Sequence, residues 1–244
     1  MQGGIHHVTA RGDHRAPILE HKSDRVSFLR RYGDVIERHG WVPLSYCLMG
    51  NHVHLVIETP ECTLGDGARD LFSDFARRHN RRRGELGHVF QGRYGSRLVS
   101  TDAYFAQLMR YVALNPVAAG ICEGPQKWPW SSHRALLAGH GGRLVAAGRV
   151  DELLSVWGQP SGDRYAELFD PSNPLALQYG GADPRTWRPP LATLFAGGSR
   201  DQAAAMAHEH GYRLAEIADH LGVHESTVSR WIRRVTAGGC KKGA

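Results

Sequence analysis

The sequence predicts an α+β fold, in which a ferredoxin-like βαββαβ antiparallel sheet carries an added helix and precedes a small all-α helix-turn-helix domain. Three observations support this fold class. Apolar periodicity along the first 100 residues gives the order strand, helix, strand, strand, helix, strand. A Gly50-Asn51 pair separates two runs of β-forming residues, which is typical of a tight hairpin. Roughly the last 45 residues show helical spacing around a glycine-containing turn.

The first strand and the first helix have clear boundary signals. Residues 5–10 are expected to form a short strand that ends at Arg11-Gly12-Asp13. Asp24 is expected to cap a helix over about residues 25–39, which Gly40 ends. The expected apolar face of this helix consists of Val26, Leu29, Val35 and Ile36.

The other elements of the sheet domain follow at short intervals. We expect strands over residues 41–49, 52–58 and 96–100, and a helix over residues 63–83. A third helix is expected to start at Thr101 or Asp102 and to end at Asn115-Pro116, because the residue before a proline disfavours the helical conformation.

The second half of the chain divides into two parts. Glycine and proline are frequent over about residues 139–200, which predicts either a linker or a set of short accessory helices. Further helices are expected over residues 202–210, over residues 214–221, and from Glu225 or Ser226 to Arg234. The predicted domains are therefore residues 1–140, residues 141–200 as linker or accessory helices, and residues 201–244.

Composition narrows the class of partner. The chain has 244 residues, a net charge of +6 and a pI of about 9.3, and 41% of its residues are hydrophobic. This apolar content suffices for a core, and the basic balance favours nucleic acid or another anionic partner. The four cysteines are scattered and form no CxxC pair, which fits a reducing cytoplasm and no zinc knuckle. No apolar run approaches the ~18 residues of a membrane span, so no membrane partner is expected.

One short segment concentrates positive charge. Its five arginines are Arg77, Arg78, Arg81, Arg82 and Arg83. The segment is either a solvated helix face or a strip that contacts phosphates, and the sequence leaves both interpretations open.

Two histidines, His52 and His54, lie two residues apart in a predicted strand. Because side chains alternate along a strand, both imidazoles point to the same face, where they could bind one cation. A solvent-facing or hydrogen-bonded pair is the alternative interpretation.

Tyr111 and Asn115 lie four residues apart on the third predicted helix, and therefore on one face of it. A tyrosine hydroxyl can attack a phosphodiester, giving a phosphotyrosine and a free 3′ hydroxyl, and the asparagine oxygen could complete a metal site. Oxygen and imidazole ligands suit Mg²⁺ or Mn²⁺, which polarises the phosphate. The alternatives are a core aromatic residue and a helix cap.

Five segments of the sequence resemble one known family, the REP-associated tyrosine transposases of the HUH superfamily. They read GGIHHVTARGDHR (residues 3–15), YCLMGNHVHLVIE (46–58), FQGRYGSRLV (90–99), RYVALNPVAAG (110–120) and WPWSSHRA (128–135). The order of the motifs over about residues 3–140 makes the resemblance far more specific than any single one of them.

The resemblance implies a set of roles for particular residues. His52 and His54 match the paired metal ligands, Tyr111 matches the nucleophile, and Asn115 matches the third ligand. Gly50 stands where the family usually has proline, which we expect to alter the turn and not the ligands. Arg93 and Arg97 lie in a matching motif, where phosphate contact and structural salt bridging are both open. The family cleaves single-stranded DNA beside hairpins formed by palindromic repeats. Trp128, Trp130 and His133 are expected to pack within the fold, with base stacking as the alternative.

The C-terminal segment resembles the helix-turn-helix of some longer members and implies contact with duplex DNA, with protein–protein packing as the alternative. The residues expected to contact DNA are Ser226, Thr227, Ser229, Arg230, Arg233 and Arg234, with Lys241 and Lys242 adding phosphate contacts.

The functional hypothesis is a cytoplasmic, nucleoid-associated enzyme that cleaves and rejoins single-stranded DNA through a covalent 5′-phosphotyrosine. Two alternatives stay open: a non-catalytic DNA-binding regulator derived from a transposase, and a metal-dependent nuclease that uses water. Whether the chain is a monomer or a homodimer is also open.

Overall fold

The computed structural model describes residues 4–60, 62–155, 164–170, 191–195, 199–209 and 212–238. The chain divides into two compact units, residues 2–181 and residues 182–244. The domain boundaries expected at residues 140 and 200 stay predictions. Within the described ranges no helix combines the length and apolar character needed to cross a membrane.

The larger unit is built on a four-stranded sheet. Its strands are β1 (Gly4–Arg11), β2 (Val42–Leu48), β3 (His52–Thr59) and β4 (Gly95–Val99). They lie in the order β2-β3-β1-β4, and every neighbouring pair is antiparallel. With α1 (Lys22–His39) between β1 and β2, and α2 (Leu64–Arg83) between β3 and β4, this is the ferredoxin-like arrangement, so the predicted fold class is confirmed.

The two faces of the sheet carry different helices, because successive strand side chains alternate. One face contributes Val8, Val53 and Leu55 to a core shared with α1 and α2. The opposite face contributes Val56 and the Leu44 side chain to a core shared with α3 (Asp102–Ala118). A residue of β3 therefore meets either the α1–α2 layer or α3, depending only on its parity.

The first helix begins earlier than the sequence indicates. It starts at Lys22 with His21 at the N-cap, so the expectation that Asp24 caps a helix from residue 25 is wrong. Asp24 instead lies in the first turn, where its carboxylate accepts the His21 backbone N–H at 3.0 Å. Gly40 ends the helix in the left-handed conformation, with φ of 64°, as expected.

The apolar face of α1 also differs from the expected one. Val35 and Ile36 are buried, but Val26 is 41% exposed and does not belong to the core. The fully buried aromatic residues Phe28 and Tyr32 take its place. Large aromatic side chains remove more apolar surface from water than valine does, and they set which stripe of the helix faces the sheet.

The third helix ends later than expected. Thr101 caps it by accepting the Tyr104 backbone N–H at 3.2 Å, which confirms the predicted start. The predicted end at Asn115-Pro116 is wrong, since the helix continues through Pro116 to Ala118. The backbone N–H of Ala119 donates to the Asn115 carbonyl at 3.0 Å, so the last turn stays closed after the proline. Asn115 is consequently a helical residue and not a cap.

Short helices follow α3 in the larger unit. They are α4 (His133–Leu137), α5 (Ala147–Ser155) and α6 (Arg164–Glu167). Leu136, Val150 and Tyr165 bury their side chains in the core on the α3 face of the sheet. Within residues 141–200, residues 156–163, 171–190 and 196–198 lie outside the described part of the chain.

The smaller unit contains a helix-turn-helix. Its helices are α7 (Leu191–Leu194), α8 (Arg200–Glu209), α9 (Leu214–Leu221) and α10 (Glu225–Gly238). Ala204, Ile217 and Val228, one from each of the three longer helices, meet in its core. The turn from α9 to α10 passes through Gly222, which confirms the expected C-terminal helical region.

Candidate active site

The paired histidines of β3 lie on the sheet face that meets α3. Val53, between them, is fully buried in the opposite core, so the alternation places His52 and His54 together on the other side. The two imidazole rings have centroids 5.0 Å apart. His54 is 2% exposed, whereas His52 is partly buried. The histidine pair therefore forms one wall of a site that has α3 as its other wall.

Helix α3 presents two side chains to this pair, one turn apart. The Tyr111 ring meets the His54 ring edge-on, with centroids 5.4 Å apart. The Asn115 Oδ1 atom lies 3.2 Å from the His52 Nε2 atom. Tyr111 and Asn115 are both only partly buried. The structure thus brings together all four residues that the sequence singles out as nucleophile and metal ligands.

A third histidine belongs to the same cluster and was missed in the sequence. The His7 Nε2 atom lies 2.9 Å from the His54 Nδ1 atom, and the His7 ring centroid lies 6.3 Å from that of Tyr111. His7 is 4% exposed. Strand alternation was the available signal: β1 pairs with β3 with Thr9 opposite His54, so His7 projects from the same face.

Asn51 is the second residue that sequence reasoning missed. Its side-chain oxygen lies 2.7 Å from the His52 Nδ1 atom, and its Nδ2 group donates to the Arg15 carbonyl at 3.2 Å. The only signal in the sequence was that Asn51 directly precedes the histidine pair, because the Arg15 carbonyl that its side chain contacts lies 36 residues away along the chain.

The nitrogen and oxygen donor atoms of this cluster suit a divalent cation. His52 lies between two amide oxygens, which can only accept: its Nδ1 atom is 2.7 Å from the Asn51 oxygen, and its Nε2 atom is 3.2 Å from the Asn115 oxygen. The shorter contact favours the proton on Nδ1, and the Nε2 lone pair and the Asn115 oxygen would then be two neighbouring ligands of one cation. Within the described ranges no group of three His, Cys, Asp or Glu side chains could hold a metal, so Asn115 is needed to complete the set.

The arginine run of α2 lies on the other side of the sheet from the histidines. Arg77 and Arg78 pair with Asp74, at 3.3 and 3.1 Å. Arg82 pairs with the buried Asp24, and Arg83 with Glu20 at 3.2 Å. Arg81 is exposed. These contacts support the interpretation of a solvated helix face stabilised by ion pairs within the fold.

The two arginines of the FQGRYGSRLV segment occupy different environments. Arg93 is exposed before β4. Arg97 lies in β4 opposite His7, on the same sheet face as the histidine cluster, and is partly buried. The strand register thus places Arg97 on the face of the candidate site.

The WPWSSHRA segment packs against the β2 end of the sheet. The Trp128 indole N–H donates to the Leu48 carbonyl at 3.1 Å, and the Arg25 guanidinium lies 5.5 Å from the ring centroids of both Trp128 and Trp130. His133 is 3% exposed and its Nδ1 atom lies 2.9 Å from the Tyr165 hydroxyl. Burial lowers the pKa of His133 to about 4.

The residues expected to contact duplex DNA lie on or near the surface of α10. Ser226 and Arg230 are exposed, and Thr227 and Ser229 are partly exposed. The exposed Arg233 donates to Ser229 at 3.2 Å, and Arg234 pairs with Asp201 at 3.7 Å. Lys241 and Lys242 lie outside the described residues.

Comparison with known families supports this combination of sheet and helix-turn-helix. Residues 2–115 match the family described as Transposase IS200 like, and residues 200–242 match the Homeodomain-like domain. Residues 2–115 are therefore similar to an IS200-like transposase domain and residues 200–242 to a homeodomain-like helix-turn-helix, which supports a transposase-like function.

Relatives narrow the class further. A putative REP-associated tyrosine transposase of Haemophilus influenzae is 26% identical over 123 residues, which cover 46% of this chain and 70% of the relative. The chain is thus a homologue of a REP-associated tyrosine transposase.

Two solved structures are also similar. One is a REP-associated tyrosine transposase bound to a REP hairpin, with a TM-score of 0.47 and 20% identity over 60% of this chain and 87% of that one. The other is a putative transposase from Deinococcus radiodurans, with a TM-score of 0.34 and 20% identity over 46% of this chain and 90% of that one.

Proposed function

We propose that the larger unit cleaves and rejoins single-stranded DNA through a covalent bond between Tyr111 and a 5′ phosphate. The observation that carries the proposal is the position of Tyr111 and Asn115. They lie one helical turn apart, and each contacts one member of the histidine pair, Tyr111 meeting His54 and Asn115 meeting His52. A nucleophile and three ligand atoms on one small surface are what phosphoryl transfer to a tyrosine requires.

His52, His54 and Asn115 would hold the cation. A bound Mg²⁺ or Mn²⁺ supplies charge that polarises a non-bridging phosphate oxygen and lowers the barrier to attack. The sheet fixes the two imidazoles, while the helix fixes the amide oxygen against them. The ligand set therefore forms only when α3 is docked on the sheet.

Tyr111 would supply the attacking oxygen. Its hydroxyl oxygen forms a bond to phosphorus, the bond from phosphorus to the 3′ oxygen breaks, and the tyrosine proton is lost as the 3′ oxygen becomes a hydroxyl. The product is a 5′-phosphotyrosine and a free 3′ hydroxyl. Attack of a 3′ hydroxyl on the phosphotyrosine reverses the step, so rejoining needs no external energy source.

The proposed substrate is single-stranded DNA next to a hairpin. The net charge of +6 favours a polyanionic ligand, and the motif resemblance favours palindromic repeats as its source. The helix-turn-helix would add a contact to duplex DNA through α10.

Covalent attachment in the Tyr111→Phe variant tests the proposal. The full chain is incubated with labelled single-stranded hairpin DNA and Mn²⁺, then denatured and separated by electrophoresis. The wild type is expected to give a denaturation-resistant adduct, and the variant is expected to give none while still shifting the DNA in a native gel. Tyr94→Phe is the matched control, because Tyr94 stacks on Phe72 in the α1–α2 core, and it should retain the adduct.

The same experiment separates the two other hypotheses. A nuclease that uses water would cut the DNA in the Tyr111→Phe variant and leave a free 5′ phosphate. A non-catalytic regulator would bind the DNA and give neither adduct nor cut in the wild type. Either result would refute the tyrosine mechanism.

A further inference from the structure

We propose that His7 and Asn51 are positioning residues, which hold the protons of His54 and His52 on Nδ1 so that both imidazoles present Nε2 to the cation. The inference rests on the proposed function, since it assigns a role at the same site. It concerns two residues outside the proposed ligand set of His52, His54 and Asn115. Its physical basis is that a neutral imidazole carries one proton, and a hydrogen bond decides which nitrogen has it.

The orientation of Asn51 is fixed on its far side. Its Nδ2 group donates to the Arg15 carbonyl at 3.2 Å, so the other amide atom, the one 2.7 Å from His52 Nδ1, is the oxygen. An amide oxygen accepts only, and the proton between these atoms therefore belongs to His52 Nδ1. The contact from His52 Nε2 to the Asn115 oxygen is longer, at 3.2 Å, so we infer that Nε2 carries the lone pair of the neutral ring.

The turn after β1 holds the Arg15 carbonyl in place. His14 and Arg15 have positive φ values of 46° and 62°, a conformation that costs L-residues about 1–2 kcal/mol each. The turn is joined to the β2–β3 hairpin, because the Gly12 N–H donates to the Asn51 carbonyl at 2.8 Å and the Ile18 N–H donates to the Gly50 carbonyl at 2.9 Å. Strain of this kind persists only where surrounding contacts fix the conformation. Here the contacts with the β2–β3 hairpin hold the Arg15 carbonyl that accepts from the Asn51 side chain.

His7 plays the corresponding role for His54. The His7 Nε2 and His54 Nδ1 atoms are 2.9 Å apart, and both side chains are more than nine-tenths buried. If His54 Nδ1 donates, the His54 Nε2 atom carries the lone pair that a cation needs. If His7 Nε2 donates instead, the neutral His54 ring carries its proton on Nε2 and that lone pair is absent. The parallel with His52, whose Nδ1 is the donor, favours the first arrangement. Partners of this kind set the tautomer and ring orientation of metal-binding histidines, and their loss costs about 10–100-fold in metal affinity.

Nitrogen NMR of the metal-free, ¹⁵N-histidine-labelled full chain tests the inference without catalysis. At about pH 8, above the usual histidine pKa of about 6.5, we expect His52 and His54 both to carry the proton on Nδ1. A wild-type protein in which His54 carries it on Nε2 overturns the inference, whatever the enzyme does.

Calorimetric titration with Mn²⁺ gives a second readout. His7→Phe keeps an aromatic ring and removes the acceptor, and it should weaken Mn²⁺ binding about 10–100-fold, as should Asn51→Leu. His7→Gln restores an acceptor atom and should recover much of the affinity. His6→Phe is the control, because His6 projects from the other face of β1. Equal affinities for His6→Phe and His7→Phe would overturn the inference.

The two proposals fail in different ways. A wild-type chain that binds no Mn²⁺ contradicts the proposed function, while the histidine tautomers still decide the role of His7 and Asn51. An active chain with the wrong His54 tautomer contradicts only the positioning role.

Discussion

At the scale of single residues, the chemistry proposed for the site depends on which atoms face one another across the sheet and α3. His52, His54, Tyr111 and Asn115 come from two elements about 60 residues apart in the chain, yet their side chains form one cluster. An edge-on contact between a tyrosine and an imidazole is of ordinary aromatic geometry, so it requires no strain in the side chains that make it.

Asn115 offers the first residue-scale prediction. Asn115→Leu removes the amide oxygen from beside His52 Nε2 and should weaken Mn²⁺ binding at least about tenfold, since one of three protein ligands is lost. Asn115→Asp keeps an oxygen and adds negative charge, so it should bind Mn²⁺ at least as tightly as the wild type. Calorimetric titration measures both. A Leu variant with unchanged affinity would show that Asn115 is not a ligand.

His133 gives a prediction about pH. Burial lowers its pKa to about 4 in the folded chain, below the unfolded value of about 6.5. The unfolded state therefore binds more protons between these values, and the free energy of unfolding should fall as the pH is lowered from about 6.5 to about 4.

The His133→Gln variant isolates that contribution. Urea unfolding at several pH values should give a shallower loss of stability in this window than the wild type shows. Some slope should stay, because burial lowers the pKa of His6 and of His79 as well. An unchanged slope would mean that His133 is not neutral in the folded protein.

At the scale of elements, the turn after β1 and the α1–α2 layer contribute separately: both add to stability, but only the turn is joined to the candidate site. A Cβ atom at Gly12 would overlap the Ala16 carbonyl oxygen, and one at Gly67 would overlap the Trp41 ring. Gly12 belongs to the turn that is joined to the Asn51 hairpin, whereas Gly67 lies in α2. Both glycines are tightly packed, but only Gly12 is connected to the candidate site.

We therefore predict different outcomes for Gly12→Ala and Gly67→Ala. Each should lower the free energy of unfolding by about 1–3 kcal/mol, the usual cost of overpacking. Only Gly12→Ala should also weaken Mn²⁺ binding, because the turn shifts the Arg15 carbonyl that orients Asn51. Chemical unfolding and Mn²⁺ titration on both variants provide the comparison. Equal Mn²⁺ affinities would contradict the connection between the turn and the site.

Element types and order could be predicted from sequence, while the interactions between distant elements could not. Strand alternation placed His52 and His54 on one face, and helical spacing placed Tyr111 beside Asn115. The continuation of α3 past Pro116 was missed, because a local rule about proline does not include the packing that holds the last turn. His7 and Asn51 were missed because their partners are 47 and 36 residues away along the chain.

At the scale of the whole molecule, the proposal assigns a different DNA contact to each of the two compact units. The larger unit carries the candidate site, and the smaller carries a helix-turn-helix with an exposed Arg230 near the start of α10. A recognition helix reads duplex DNA in the major groove. The two activities should therefore respond to different substitutions.

Arg230→Ala should weaken binding to duplex DNA about tenfold or more, the usual effect of losing one arginine contact to a base. Covalent attachment to single-stranded DNA should be unchanged in the same variant. Arg200→Ala, in α8, is the control and should leave duplex binding nearly intact. Fluorescence anisotropy with a labelled duplex measures the binding. If Arg230→Ala instead abolished the covalent adduct, the separation of roles would be refuted.

Mass spectrometry of the attachment site tests most directly whether Tyr111 becomes covalently bound to DNA. The wild-type chain is incubated with Mn²⁺ and a library of single-stranded hairpins with randomised flanks, and the covalent product is digested and sequenced. We predict one modified peptide, with a 5′-phosphorylated nucleotide on the Tyr111 oxygen. A nucleotide on any other residue, or cleaved DNA with no modified peptide, would contradict the account.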